Sequence, residues 1–178
     1  AIDPTVFQEI KHRQLPARQP QQRHAHERLA EYFTRLDYWL ESLEMQQRRS
    51  KTLPQIRRLA NIRKVDELPY QTLEIAKLAG TVDSNAKEWG AVVDLLTDWH
   101  FLEAKTSGCG HYMLIDDFDS TLTAVSGRED FWPLPQSLGP TLATLRSALR
   151  LSADALTADP LQLAAQLTGR LINAFQPQ

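Results

Sequence analysis

The segment 72–105 constrains the fold more than any other part of the chain, because it holds two helical patterns separated by a short break. The first predicted helix ends at Gly80, and glycine readily adopts the positive φ that is common just after a helix. The second runs from about Asn85 to about Trp99, with apolar residues three and four positions apart. Ala76 supplies the small side chain that two crossing helices need where they touch. The pattern therefore predicts a helix-turn-helix.

Two short segments after this pair predict β-strands, because each is a short, partly apolar run bounded by turn residues. They are 100–105 (HFLEAK) and 111–116 (HYMLID), and Gly108 and Gly110 predict a turn between them. With one further helix predicted upstream, the order of elements is helix, helix, turn, helix, strand, turn, strand.

This order resembles the winged helix-turn-helix superfamily over roughly residues 53–116, and the residues that carry the resemblance are Ile75, Ala76, Ala79, Gly80, Ala86 and Trp89. The resemblance implies a mainly α fold in which the β-hairpin is a two-stranded wing. An N-terminal amphipathic helix and a C-terminal helical pair would flank this domain. That arrangement is loosely similar to dimeric regulators of the MarR type.

The flanking helices are predicted from the sequence itself. From about residue 24, large apolar residues spaced by three and four predict an amphipathic helix; they are Leu29, Tyr32, Phe33, Leu36, Trp39, Leu40 and Leu43. This stripe must pack against the same domain or against a second subunit, so a homodimer through this helix is one expectation. A further helix is predicted from Thr52 as N-cap, and Pro69 is expected to end it.

The predicted organisation has four parts. Residues 1–23 form an arm, of which residues 1–5 could be a remnant of cloning, and residues 24–120 hold the first helix and the winged-helix domain. Residues 121–140 are expected to be a linker, and residues 141–178 two C-terminal helices. Asp159 is the predicted N-cap of the last helix, and Pro160 occupies its first position.

Charge is divided unevenly along the chain. Residues 1–64 carry 13 Lys+Arg and 7 Asp+Glu, a net charge of 13 − 7 = +6, and residues 65–178 carry 7 and 15, a net charge of 7 − 15 = −8. This asymmetry suggests an anionic partner at one end, although complementary dimer ends or an ordinary solvated surface would give the same division.

The single cysteine, Cys109, excludes an internal disulfide framework and favours a reducing, cytoplasmic setting. No apolar run approaches the roughly 20 residues that span a bilayer, so no membrane association is expected.

If the motif binds double-stranded DNA, three groups of residues are the candidate ligands. Ser84, Asn85 and Lys87 stand at the start of the second motif helix, where side chains reach base edges. Lys105 and His111 would belong to the wing. The upstream basic cluster would hold phosphates; it comprises Arg48, Arg49, Lys51, Arg57, Arg58, Arg63 and Lys64.

No motif for catalysis, metal binding or a cofactor stands out, so the chain is expected not to be an enzyme. His24 and His26 are not expected to hold a metal ion, and the acidic run at Asp116, Asp117 and Asp119 is expected to be a solvated turn.

Two functional hypotheses remain. In the first, the chain is a non-enzymatic DNA-binding protein, either a regulator or a domain of a replication or mobile-element protein. In the second, it is a winged-helix protein–protein adaptor in a larger assembly that does not contact nucleic acid, with a partner at the C-terminal part or at an exposed aromatic residue such as Trp132. The acidic second half and Glu88 on the motif helix favour the second hypothesis. The two are distinguished by whether Lys87 shares one continuous face with the upstream basic cluster.

Overall fold

The computed structural model describes residues 19–40, 59–79, 82–126 and 138–172. In these ranges the chain forms eight α-helices, one 3₁₀ helix and one pair of short strands. The elements are α1 (Gln19–Thr34), β1 (Trp39–Leu40), β2 (Leu59–Ala60), α2 (Ile62–Leu78), α3 (Val82–Thr97), α4 (Trp99–Gly108), α5 (His111–Ser126), α6 (Leu138–Leu151), α7 (Ala153–Ala158), the 3₁₀ helix (Pro160–Gln162) and α8 (Leu163–Leu171). The prediction of a mainly α fold with a small two-stranded antiparallel sheet is confirmed.

The predicted helix pair of the motif is present as α2 and α3. Helix α2 ends at Leu78, and Ala79 caps it by donating its backbone N–H to the Ile75 carbonyl. Helix α3 begins at Val82, and Gly80 lies outside the described residues. Ala76 and Trp89 are fully buried, so the apolar spacing that predicted these two helices also marks the faces they bury.

Helix α1 packs antiparallel to α2. Near the end of α1, the Lys64 Nζ atom at the start of α2 lies 3.3 Å from the Thr34 carbonyl oxygen. Further back along α1, His26 Nδ1 lies 2.6 Å from Gln71 Oε1. Contacts at both ends hold the two helices side by side, and α3 packs on α2 to complete a three-helix bundle.

The N-terminal amphipathic helix begins and ends earlier than the apolar pattern predicts. It starts at Gln19, inside the predicted arm, and stops at Thr34. Trp39 and Leu40 are in β1 instead. Phe33 is buried and Trp39 packs against the core, whereas Tyr32 stays half-exposed. Phe33 and Trp39 therefore pack within the chain, while Leu29, Tyr32 and Leu40 keep 43%, 51% and 44% of their surface exposed.

The predicted position of the two strands is wrong. The sheet is formed by β1 and β2, which lie before the motif helices and pair as Trp39 with Ala60 and Leu40 with Leu59. Residues 100–105 and 111–116 are helical, in α4 and α5. The Asp98 side chain caps α4 by accepting a hydrogen bond from the His100 backbone N–H at 2.9 Å.

The helical period of these segments appears only over a longer window. In α5 the buried residues are spaced by three and four over three turns; they are His111, Leu114, Ile115, Phe118 and Thr121. A window that stops at residue 116 contains too few of them to distinguish a helix from a strand. A short apolar run is ambiguous for this reason.

The sequence predicted that Pro69 ends a helix. This prediction is wrong, because Pro69 lies inside α2. An internal proline removes one backbone hydrogen bond and costs about 3 kcal/mol. Val65 and Leu68 before it, and Leu73 and Ala76 after it, are all buried. Their burial, at about 25 cal/mol per Å² of apolar surface, offsets that cost.

The N-cap of α2 is Asn61, whose side chain accepts a hydrogen bond from the Lys64 backbone N–H. The predicted helix start at Thr52 lies outside the described residues.

The C-terminal part packs as a helical layer on α5. Of the predicted linker, residues 121–126 belong to α5 and residues 138–140 to α6, and residues 127–137 lie outside the described residues. Asp159 is a cap, as predicted, and its side chain accepts from the Leu161 backbone N–H at 3.0 Å. It begins the 3₁₀ helix, which leads into α8. The buried residues Leu142, Leu149 and Leu163 join this layer to the same hydrophobic core as the bundle.

The turn between α4 and α5 depends on two glycines. Gly110 has a φ of +91°, a conformation that L-residues with side chains rarely adopt. Gly108 allows a close approach, because a Cβ atom there would lie 2.8 Å from the Ala60 Cβ of β2. The strand pair therefore sits directly against the end of α4.

Replacing Gly108 with alanine is expected to lower the free energy of unfolding by about 1–3 kcal/mol, because neither the helix nor the strand backbone can yield cheaply. Urea denaturation measures the change. The double variant Gly108→Ala with Ala60→Gly removes the clash and should recover part of the loss. Additive losses in that pair would contradict the close contact.

Candidate functional site

The residues predicted to bind DNA do not form one described surface. Five members of the upstream cluster lie outside the described residues: Arg48, Arg49, Lys51, Arg57 and Arg58. Ser84 and Asn85 are on α3, but their side chains are also outside the described part of the structure. The positions of Arg63, Lys64, Lys87, Lys105 and His111 can be stated.

Lys64 is directed into the protein. Its Nζ atom donates to the carbonyl oxygens of Thr34 and Leu36, and it lies 3.8 Å from the centroid of the Tyr38 ring. Burial lowers the pKa of the Lys64 ammonium, although the nearby carboxylates of Asp37 and Asp98 act in the opposite direction. This lysine closes the end of the bundle where α1 stops. It is not a solvated phosphate ligand in this fold.

Lys105 is the most enclosed charge among the described residues, with a side chain 1% exposed. Its Nζ atom lies 3.3 Å from Asp66 Oδ1 on α2 and 3.1 Å from Asp117 Oδ2 on α5. Burial raises the pKa of the Asp117 carboxyl to about 6, while the Lys105 ammonium acts to lower it. Because a buried ammonium needs a counter-charge, Lys105 joins three helices. It is not part of a wing.

His111 is also buried, at the first position of α5. Burial lowers the pKa of its imidazole, so the ring stays neutral near physiological pH. It stacks against Tyr112 at a centroid distance of 4.1 Å. A neutral, enclosed ring cannot supply the positive charge that a phosphate contact needs.

Cys109, two residues before His111, is the C-cap of α4. Burial raises the pKa of its thiol, so the thiol stays protonated.

Lys87 and Arg63 are exposed, and neither forms an ion pair with another side chain in the described ranges. They belong to different ends of the bundle. Arg63 is at the start of α2, one turn along from β2, whereas Glu88, beside Lys87, pairs at 2.7 Å with Arg23 near the start of α1. Lys64, next to Arg63, is separated from Gln71 by about 10 Å along the axis of α2. Gln71 contacts His26, and Glu88 contacts Arg23, which is one turn farther along α1 in the same direction.

The acidic run at residues 116–119 was predicted to be a solvated turn. It is part of helix α5 instead. Asp119 receives Arg146 Nη1 at 2.9 Å and Arg150 Nη2 at 2.5 Å from α6. Desolvation alone would raise the pKa of the Asp119 carboxyl, but these two hydrogen bonds hold it below its ordinary value. The aspartates therefore join helices: Asp117 links α5 to α4, and Asp119 links it to α6.

A groove of about 180 Å³ lies between α2, α3 and α5. Leu73, Val92 and Leu96 form its apolar floor. Tyr70 stands at its edge with 43% of its surface exposed, and Asp117 borders it from α5. Burial raises the pKa of the Tyr70 hydroxyl, and the carboxylates of Glu74 and Glu67 raise it further. The phenol is therefore protonated and lies in a negative field.

The sequence did not predict this groove or the buried lysine. The signal for Lys105 was present, since it stands four residues after the buried Phe101 and three after the buried Leu102. If residues 99–108 had been predicted as a helix, Lys105 would have been placed on its buried face. No local pattern indicates the groove, because its walls come from three helices. Arg23 was missed because its partner Glu88 is 65 residues away.

Within the described ranges, no group of three His, Cys, Asp or Glu side chains is arranged to hold a metal ion. None of the helices described there is both long and apolar enough to cross a bilayer. Comparisons of the chain with protein-family models, with curated proteins and with solved structures find no match.

Proposed function

We propose that this chain is a helical protein-interaction module of a larger assembly and that it does not contact nucleic acid. The proposal rests on one observation: two of the lysines that were predicted to bind DNA are buried. Lys64 and Lys105 are enclosed and already bound to carbonyl and carboxylate oxygens. A polyanion ligand needs several accessible positive charges on one face, and of the predicted ligands whose side chains the structure describes, Lys87 and Arg63 are exposed, at opposite ends of the bundle.

The charge around the motif helix supports the same conclusion. Glu88 is engaged by Arg23, and Asp94 is exposed further along α3. Residues 65–178, which include α3 to α8, carry a net charge of −8 by the count of 7 Lys+Arg and 15 Asp+Glu. Such a field repels nucleic acid and attracts a basic protein surface.

Exposed apolar side chains also favour a protein partner. Leu40 and Leu59 are cross-strand neighbours, 44% and 59% exposed, and Ile62 follows at the start of α2 with 54% exposed. Contiguous apolar surface of this kind is typical of interaction sites.

DNA binding through a winged helix-turn-helix is the second candidate, because Lys87 and Arg63 are exposed and form no ion pair with the side chains that the structure describes. In that case the protein would be a regulator or a domain of a replication or mobile-element protein, and the basic residues outside the described ranges would supply the phosphate contacts. A homodimer through α1 would then use Leu29 and Tyr32, which are 43% and 51% exposed. A cytoplasmic location, predicted from the single cysteine, stays a prediction under both candidates.

A mobility-shift titration at low and at moderate salt distinguishes the two candidates. We expect no retardation of a mixed-sequence duplex at either salt concentration, and we expect the tagged protein to retain a stoichiometric partner after nuclease treatment. Retardation that weakens steeply with salt, and that is lost in Arg63→Ala with Lys87→Ala, would overturn the proposal. Arg35→Ala is the matched control, because Arg35 is already paired with Glu31 on α1.

A further inference from the structure

The groove between α2, α3 and α5 combines an apolar floor with a polar edge. Its floor is apolar, with Leu73, Val92 and Leu96 each at most 5% exposed. Its edge has an aromatic ring from Tyr70 and a carboxylate from Asp117. A ligand that fills it must therefore be apolar along its length and polar at its end.

The accessible part of Asp117 keeps hydrogen-bonding capacity. Its Oδ2 atom is enclosed against Lys105 Nζ at 3.1 Å. The other oxygen, Oδ1, accepts no hydrogen bond from the described side chains, and 19% of the side chain stays exposed where it borders the groove. A donor that enters the groove can therefore approach the exposed part of this side chain.

Negative charges outnumber positive charges around the groove. Asp117 is faced by Lys105 from α4 and by Asp66 from α2, and Asp116 adds a further negative charge from its own helix. At the other edge, Lys77 is paired with Glu74 at 2.8 Å, and Glu67 acts on Tyr70 as well. Each of the two lysines is engaged, so the uncompensated charge is negative.

We propose that this groove binds the arginine side chain of a basic segment of the partner protein. The inference rests on the proposed function and names the chemistry of the partner. The methylene stem of arginine packs on apolar walls, while its planar guanidinium donates to a carboxylate and stacks on an aromatic ring. Lysine suits the groove less well, because its compact ammonium is strongly hydrated and cannot stack.

The test uses the full chain and a fluorescein-labelled dodecapeptide of alternating leucine and arginine, with fluorescence anisotropy as the readout. The lysine and glutamine counterparts of the peptide are measured in parallel. We expect the arginine peptide to bind more tightly than the lysine peptide and the glutamine peptide not to bind. Binding should strengthen as the pH rises through about 6, because Asp117 then ionises.

Two variants locate the site. Asp117→Asn removes the acceptor charge, and Ser120→Trp places a large side chain at the exposed rim without changing any charge. Each should weaken binding about tenfold or more, since a charge-assisted pair and the space it needs are lost. Asp154→Asn on α7 is the matched control, because it removes one exposed carboxylate far from the groove in sequence.

Equal weakening by Asp154→Asn, or unchanged binding in Ser120→Trp, would overturn the inference, because attraction would then be a property of the whole acidic surface. Equal affinity for the arginine and lysine peptides would also overturn it. Should Asp117→Asn fail to fold, Ser120→Trp decides alone. A nuclease-resistant partner that still binds Ser120→Trp would leave the proposed function standing and remove only the groove as its site. Retardation of duplex DNA that Ser120→Trp abolishes would overturn both.

Discussion

Replacing Lys105 with methionine is expected to lower the free energy of unfolding by about 3–5 kcal/mol near pH 8, because removing one partner leaves buried charge uncompensated. Methionine keeps nearly the same length and volume, so the loss reports the charge and not a cavity. The Lys105 ammonium is 1% exposed and is shared by Asp66 and Asp117, of which Asp117 is the more enclosed. Without it, Asp117 Oδ2 faces an apolar side chain with no counter-charge.

Urea denaturation of the wild type and the variant measures this loss. The matched control is Lys77→Met, which removes a lysine of the half-exposed Glu74 pair on α2. That change should cost less than about 1 kcal/mol, because a solvated ion pair contributes little. Similar losses in both variants would show that Lys105 is not the enclosed counter-charge described here.

The effect of Lys105→Met should depend on pH with a definite sign. Burial raises the pKa of Asp117 in the folded protein from 3.8 to about 6, so the folded chain binds this proton more tightly than the unfolded chain. The stabilisation from that proton is complete below pH 3.8 and is lost as the pH rises through about 6. Removing Lys105 raises the pKa of Asp117 further. The variant should therefore lose most stability relative to the wild type above about pH 6 and least near pH 4. A loss that does not change with pH would contradict this assignment.

Replacing Trp89 with alanine is expected to cost about 3–5 kcal/mol, the range for truncating a large buried aromatic side chain. Trp89 is fully buried on α3, in the same core cluster as Val92, Leu96 and Phe118. Its removal leaves a cavity in the hydrophobic core that the helices share. Thermal or urea unfolding should then shift strongly, and α3 should lose protection against amide hydrogen exchange first.

Lys87→Ala is the matched control for Trp89→Ala, two residues earlier on the same helix. Its side chain is exposed and has no ion pair with the described residues, so the change should lie within about 0.5 kcal/mol. A large loss from Lys87→Ala, or a small one from Trp89→Ala, would mean that α3 turns a different face to the core. That result would reopen the question of which face of the motif helix is available to a ligand.

The motif helices and the small sheet show where sequence reasoning succeeds and where it does not. Helix α3 was predicted because it repeats its apolar spacing over several turns, whereas α2 was predicted as two helices divided at Pro69 and is one continuous helix. The sheet was expected, but its strands were placed at 100–105 and 111–116 instead of at Trp39–Leu40 and Leu59–Ala60. Two-residue strands carry almost no pattern of their own and exist because a partner strand, 19 positions away in the chain, lies beside them.

The candidate ligands show the same division. Lys87 was predicted to be accessible and is exposed, which its place on the polar side of α3 indicates. Lys64, Lys105 and His111 were predicted to be accessible as well, yet they are buried. A long side chain can lie along its own helix or enter a neighbour's surface, and its own segment does not determine which.

The sequence by itself determined the mainly α class, the cap at Asp159 and the uneven charge, because apolar spacing, capping residues and residue counts are local quantities. Only the tertiary structure decided that Asp66, Lys105 and Asp117 form one ionic cluster and that α2, α3 and α5 enclose a groove. Burial and charge pairing depend on which helices pack together, and that packing is set by the whole core rather than by any one segment.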